Sequence, residues 1–220
     1  MPIDFLLIKT KAWVENSKSV NTEDPETLKK ITTKALQMGV GAEELIAAVN
    51  ANVYLKMMFA KDPSKQNIYE IAELKFLQTI PHVKSAVKIE AAGNKAVYVD
   101  RGVLSVGESG KTTRRGSKSK SIDFKIVVLP KGQRTKVQTI YAMHKYTESE
   151  GGAQDNQRQD IITYLENAPL ERAECFVALL DGEYYTKKLA GLKAEFDVVG
   201  HRRVLTSNEF ESVVVGGTTL

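Results

Sequence analysis

Apolar side chains in the first third of the chain recur at three- and four-residue intervals, the period of a helix with one buried face. Asp24-Pro25 places a capping acid before a proline at the first helical position, and Leu28, Ile31 and Ala35 then repeat up to Gly39. The same pattern predicts a second helix from Ala42 to about Phe59. Asp62-Pro63 repeats the cap-and-proline signal and opens a third, whose apolar face of Ile68, Ile71, Ala72 and Leu74 lasts until Pro81. Glu70 and Glu73, three apart, project from one side of that helix.

The middle of the chain changes period. Lys95 to Val106 is rich in valine and tyrosine, which favour strands, and the polar tract Gly107 to Lys120 keeps neither rhythm. Ser121 to Leu129 alternates as a strand, with Ile122, Phe124 and Ile126 on one face and Asp123 and Lys125 on the other. Pro130-Lys131-Gly132-Gln133 reads as a turn, and Lys136 to Tyr146 as the partner strand. Gly151 to Asn167 predicts a helix burying Ile161, Ile162, Leu165 and Ala168. Cys175 to Leu180 is a short unbroken apolar run, as expected of a strand covered on both faces. A last amphipathic helix follows Thr186 through Leu189, Leu192 and Phe196, and Val213 to Leu220 suits either an edge strand or a tail. The expectation is one α/β domain with a mixed central β-sheet flanked by helices, its helical N-terminal part at 1–60 and its core at 62–200.

Composition narrows the classes. A hydrophobic fraction of 42% and a charged fraction of 26% are those of a globular protein with a sizeable core. No apolar run reaches the roughly 20 residues that cross a bilayer, and Ile3 to Ile8 carries an acid and is too short for a secretory signal. The single Cys175 leaves no internal disulfide and no cysteine zinc site, which points to a reducing cytoplasm. His82, His144 and His201 show no metal-ligand spacing.

Charge distribution changes the picture more than the net +4 does. Between Arg101 and Tyr146 stand eleven lysines and arginines against two acids, Glu108 and Asp123, the footprint expected for a polyanionic partner. A solvated flexible loop would carry the same charges. Val106-Gly107-Glu108-Ser109-Gly110-Lys111-Thr112 imitates a phosphate-binding loop, but Ser105 stands where its first glycine belongs. The residues after it hold no apolar anchor for the helix such a loop must feed. The tract suits a basic loop that clamps DNA phosphates through Lys111, Lys118 and Lys120, with Arg114 and Arg115 placed to read guanine.

Phosphodiester hydrolysis wants a divalent cation to neutralise the phosphate and acidify a water, held by carboxylate oxygen beside a lysine. A β-hairpin with an aspartate on one strand and a lysine on the next provides this, and Asp123 and Lys145 have that layout. Three stretches together resemble the PD-(D/E)xK nucleases as they occur in type II restriction endonucleases. They are Ser121 to Phe124, the run Ala142 to Gln157 with its Gly151-Gly152-Ala153-Gln154 turn, and Asp62 to Glu70. The buried strand Phe176 to Gly182 fits the element that follows.

The resemblance implies a Mg²⁺-dependent endonuclease acting on double-stranded DNA as a homodimer, with Asp123 on the metal and Lys145 on the attacking water. It also implies that the main-chain carbonyl of His144 completes the metal shell and that Gln154 touches DNA. The chain departs from the pattern at Met143, where an acid is expected and a thioether cannot serve Mg²⁺. Glu70 is the first candidate to replace it, with Glu148, Glu150, Asp155 and Gln154 as others. A second register uses Asp100, Asp123 and Lys125 and leaves Lys145 without a role. The alternatives in function are a cleavage-dead DNA-binding protein of the same fold and a repair or single-strand nuclease.

Overall fold

The computed structural model describes residues 3–107, 120–129, 131, 137–148, 152–170, 173–197 and 201–217. By internal contacts the chain divides into two compact units, Asp4–Ile71 and Met1–Ile3 with Ala72–Leu220.

The first unit is helical. Helix α1 (Phe5–Lys18) is capped by Asp4, whose carboxylate accepts the Leu7 N–H at 2.8 Å. Helix α2 (Pro25–Met38) begins and ends as its signals predict, with the Asp24 carboxylate accepting from the Thr27 N–H and Gly39 left-handed at φ 70°. The stretch expected to run unbroken to Phe59 is two helices, α3 (Ala42–Ala51) and α4 (Val53–Met57). Asn52 turns extended between them and caps the second through the Tyr54 N–H, so a polar side chain interrupts an otherwise continuous apolar pattern. Ile31, Ala35, Leu45 and Val49 form the buried centre of this unit. Asp62-Pro63 opens only a three-ten turn, Pro63–Gln66, stopped by Asn67 at φ 55°, and helix α5 (Ile68–Thr79) starts afresh.

The second unit holds a five-stranded sheet in the order β1-β5-β6-β7-β8 and a three-stranded sheet in the order β3-β2-β4. Their strands are β1 (Val83–Lys88), β2 (Val97–Asp100), β3 (Val103–Val106), β4 (Lys120–Ser121), β5 (Phe124–Val128), β6 (Gln138–Tyr146), β7 (Cys175–Asp181) and β8 (Arg202–Leu205). β1, β5 and β6 are antiparallel, whereas β6, β7 and β8 run parallel. Parallel neighbours need long crossovers, and helices α6 (Gly152–Asn167) and α7 (Glu183–Phe196) supply them. The mixed sheet flanked by helices is therefore present. The expected turn at Pro130–Gln133 lies, apart from Lys131, outside the described residues.

Alternation along the strands divides the core. One face carries Met143, Phe176, Ala178 and Leu180 beneath Tyr164, Leu165, Leu192 and Phe196 of α6 and α7. The other carries Phe124, Ile126, Ile140, Ala142, Val177 and Leu179 beneath Phe76 and Leu77 of α5 and Phe210 and Val214 of α8 (Ser207–Gly216). β7 is buried along both faces up to its last residue, which is why its sequence is an unbroken apolar run.

Two further expectations need correction, and a third is refined. Ile122 does not share a face with Phe124 and Ile126. The chain passes from one sheet to the other at Asp123, and Ile122 joins the first cluster while its N–H bonds to Val97 O at 2.9 Å. Lys95 to Val106 is strand as expected, folded into a hairpin turned at Arg101 and Gly102, both at positive φ. The helix after Thr186 begins earlier, at Glu183, and is not the last. α8 follows it, with a capping box between Thr206 and Glu209, so Val213 to Gly216 are helical and neither strand nor tail.

Candidate functional site

Parallel pairing brings the C-terminal ends of β6 and β7 side by side, with Tyr146 opposite Asp181. Beyond them the backbones lie closer still. The Thr147 N–H donates to Asp181 O at 3.0 Å, and the Tyr184 N–H to Thr147 O at 3.3 Å. Gly182 sits at φ 98°, and a Cβ there would stand 2.1 Å from Thr147 O. Only glycine satisfies that approach.

His144 and Asp181 fall on the strand positions that face α5 and α8. Glu73 of α5 and Ser207, the first residue of α8, complete a cluster beneath this end of the sheet. His144 Nε2 lies 3.8 Å from Glu73 Oε2 and 3.7 Å from Asp181 Oδ2. Ser207 Oγ bonds to Glu73 Oε2 at 2.7 Å and to Asp181 Oδ2, and its N–H reaches Asp181 Oδ1 at 3.3 Å. Glu73, His144 and Ser207 are fully or almost fully buried, and only Asp181 reaches the surface. Glu73 Oε1 is buried with no hydrogen-bond partner among the described residues.

The electrostatics follow from crowding acids out of water. Burial pushes the Glu73 carboxyl up to about 7, with the Asp181 charge adding to it and His144 opposing it. Burial works against the His144 imidazolium, yet contact with Asp181 and the charges of Glu73, Asp181 and Asp123 outweigh it and draw its pKa up. A hydroxyl carries one proton, so Ser207 can donate to only one of its two carboxylate partners. The second contact is a hydrogen bond only when that carboxyl is itself protonated, and Glu73 is the group whose environment favours this.

The aspartate and lysine expected to converge occupy neighbouring positions at one end of the β5–β6 hairpin. Asp123 precedes β5, and its Oδ2 accepts the His144 N–H at 2.8 Å. That N–H would face Ile122 in the ladder, and Ile122 has left for the other sheet, so the carboxylate satisfies an otherwise orphaned donor. Lys145 follows His144 on β6 and therefore projects to the opposite face, the side of Met143 and α6. Asp123 and Lys145 share no direct ion pair among the described residues. What the structure joins is Asp123 to His144.

The other candidates are dispersed. Glu70 belongs to the helical unit and is half-buried, while Glu73, one turn further along α5, is the buried acid. Met143 is packed in the core, so an apolar environment occupies the place of the missing acid. Glu148 accepts from the Tyr146 hydroxyl at 3.4 Å, and Asp155 accepts from that of Tyr184 at the same distance. Asp100 ends β2 in the small sheet beside Arg101, whereas Lys125 lies exposed on β5 of the large one. Lys111, Arg114, Arg115, Lys118 and Glu150 lie outside the described residues. Lys120 is on β4 and Gln154 on α6.

Histidine spacing along the chain gave no metal signal, yet the side chain of His144, expected to contribute only its carbonyl, stands with Glu73 and Asp181 in a group whose ligand atoms all lie within 4.8 Å. Sequence reasoning missed Glu73, Asp181 and Ser207. The available signal was parity: His144 shares its strand face with Ile140 and Ala142, an unusual place for a polar residue without partners. No family model matches the chain, and no curated protein or solved structure matches it.

Proposed function

We propose that the chain is a Mg²⁺-dependent endonuclease for double-stranded DNA, working as a homodimer in the cytoplasm. The observation that carries this is the placement of Asp123 and Lys145 at one end of an antiparallel hairpin, with Asp123 anchored on the residue next to the lysine. The hairpin is followed by α6 and by the buried parallel strand β7, the order the resemblance implies. The donor chemistry fits Mg²⁺, which needs only one or two carboxylates and takes its remaining oxygens from water and substrate phosphate. Asp123 would hold the ion, with the carbonyl of His144 beside it. Bound there, Mg²⁺ would neutralise the phosphate and acidify a water. Lys145 orients that water, and the basic stretch from Arg101 to Tyr146 attracts the DNA backbone. Among the described residues no helix is long and apolar enough to cross a membrane.

The burial of Met143 favours a second reading, a DNA-binding protein of this fold that does not cleave, because no acid stands where the pattern requires one. Plasmid digestion with and without Mg²⁺ separates the two. Cleavage should drop by about 100-fold or more in Lys145→Ala and in Asp123→Asn, while DNA retention in a gel-shift assay persists in Lys145→Ala. DNA binding without cleavage by the wild type establishes the second reading, and unimpaired cleavage by Lys145→Ala refutes the assigned chemistry.

A further inference from the structure

The side chains clustered beneath the ends of β6 and β7 play no part in the chemistry assigned to Asp123 and Lys145, which uses His144 only through its main chain, and their composition needs its own explanation. Two carboxyl groups and an imidazole are withdrawn from water at the junction of α5, β6, β7 and α8. Burying two carboxylates near one another is costly unless positive charge accompanies them. No lysine or arginine forms an ion pair with Glu73 or Asp181 among the described residues. His144 Nε2 stands 3.8 Å from Glu73 Oε2 and 3.7 Å from Asp181 Oδ2, longer than an ordinary hydrogen bond. Glu73 Oε1, wholly buried, has no hydrogen-bond partner among the described residues.

We infer that Glu73, His144 and Asp181 form a binding site for a divalent transition-metal ion of the zinc class. Zn²⁺ holds imidazole nitrogen and carboxylate oxygen at about 2.0–2.2 Å, which sets neighbouring donors of a tetrahedral site about 3.3–3.6 Å apart. The two distances at His144 Nε2, 3.8 and 3.7 Å, lie just beyond that range, and all three ligand atoms lie within 4.8 Å of one another, so closure around the ion takes shifts of up to about an ångström. The ion's two positive charges match the two carboxylates. The donor set selects against Mg²⁺ and Ca²⁺, which take oxygen and want six or more ligands, because an imidazole nitrogen faces the centre and, among the described residues, three protein groups converge. Ser207 can donate its hydroxyl proton to the Glu73 carboxylate while its N–H reaches Asp181 Oδ1, orienting both acids as outer partners of metal ligands do. Asp181, with 13% of its side chain exposed, marks the side from which the ion enters. Because the donors come from three elements far apart in the chain, the ion acts as a clamp on the fold.

The test uses the full chain stripped with EDTA and returned to chelator-free buffer, and it involves no DNA, so it stands or falls independently of the nuclease reading. Calorimetric titration with Zn²⁺ should give one equivalent bound, and the thermal unfolding midpoint should rise with added Zn²⁺. Co²⁺ in its place should give visible d–d absorption. Glu73→Gln and Asp181→Asn keep the shape of each side chain, and far-ultraviolet circular dichroism verifies their fold. In each, Zn²⁺ affinity should fall by about 100-fold or more and the Co²⁺ bands should vanish, while Lys145→Ala keeps both. No Zn²⁺ isotherm with the stripped wild type, or unchanged affinity in both carboxamide variants, overturns the proposal.

Discussion

Replacing Gly182 with alanine tests the closeness of the two strand ends on which the buried cluster depends. Gly182 lies at φ 98° and ψ 164°, a region essentially reserved for glycine, where a side chain costs about 1–3 kcal/mol. The new methyl carbon would stand 2.1 Å from Thr147 O, 2.7 Å from its carbonyl carbon and 3.0 Å from its nitrogen. These are backbone atoms and cannot swing aside. Relieving the overlap means parting β6 from β7, and overpacking of this kind costs about 1–3 kcal/mol. The same movement strains the hydrogen bonds from the Thr147 N–H to Asp181 O and from the Tyr184 N–H to Thr147 O, each worth about 0.5–1.5 kcal/mol. Together the loss is about 3–9 kcal/mol, the upper end being reached if both hydrogen bonds are lost outright, a large part of a typical domain's stability. Urea unfolding followed by circular dichroism reads it directly. Gly191→Ala is the control, because it lies within α7 with no atom within 4 Å of an added Cβ. That change should leave stability within about 0.5 kcal/mol or raise it by up to about 1 kcal/mol. Should Gly182→Ala lie within 1 kcal/mol of the wild type, the close approach at Thr147 is refuted.

The pH response of the metal-free protein follows from Glu73. Its carboxyl is raised from 4.5 to about 7 in the fold, so the folded chain holds the proton more tightly than the unfolded one. The stabilisation is complete below about pH 4.5 and is lost as pH rises through 7, an upper bound of about 3 kcal/mol because His144 competes for the same proton. Urea midpoints of the wild type should therefore fall between pH 5 and 8 relative to those of Glu73→Gln, and parallel pH profiles refute the assignment. Cys175 is buried, its thiol donates to His201 O at 3.0 Å, and burial pushes its pKa up to about 12. The native protein should resist a thiol reagent at neutral pH and the denatured one should take up one equivalent, so rapid native labelling contradicts that burial.

Local chemistry made much of the fold legible. Asp24-Pro25 and Gly39 bound α2 because caps act on the nearest turn alone. β7 was readable as a doubly buried strand because six of its seven residues are buried. Other elements defeated local rules. β1 buries only Ala86 among its six residues and is a strand because β5 pairs with it. Ile122 and Phe124 alternate correctly, yet the chain changes sheets between them. The capping box at Thr206 and Glu209 was written in the sequence and marks a helix that apolar spacing alone did not reveal.

The site divides along the same line. The antiparallel neighbours that place Asp123 and Lys145 at one end could be read from the sequence, because a hairpin sets its partners within a short stretch of chain. Glu73, His144, Asp181 and Ser207 could not be named, since Ser207 bonds to an acid 134 residues before it and to another 26 residues before it. Sequence determined which residues face inward, through period and parity. Only the parallel crossovers through α6 and α7, and the packing of α5 and α8 on one face, decided which of those inward residues meet, because burial is a local preference whereas contact depends on the order of strands in the sheet.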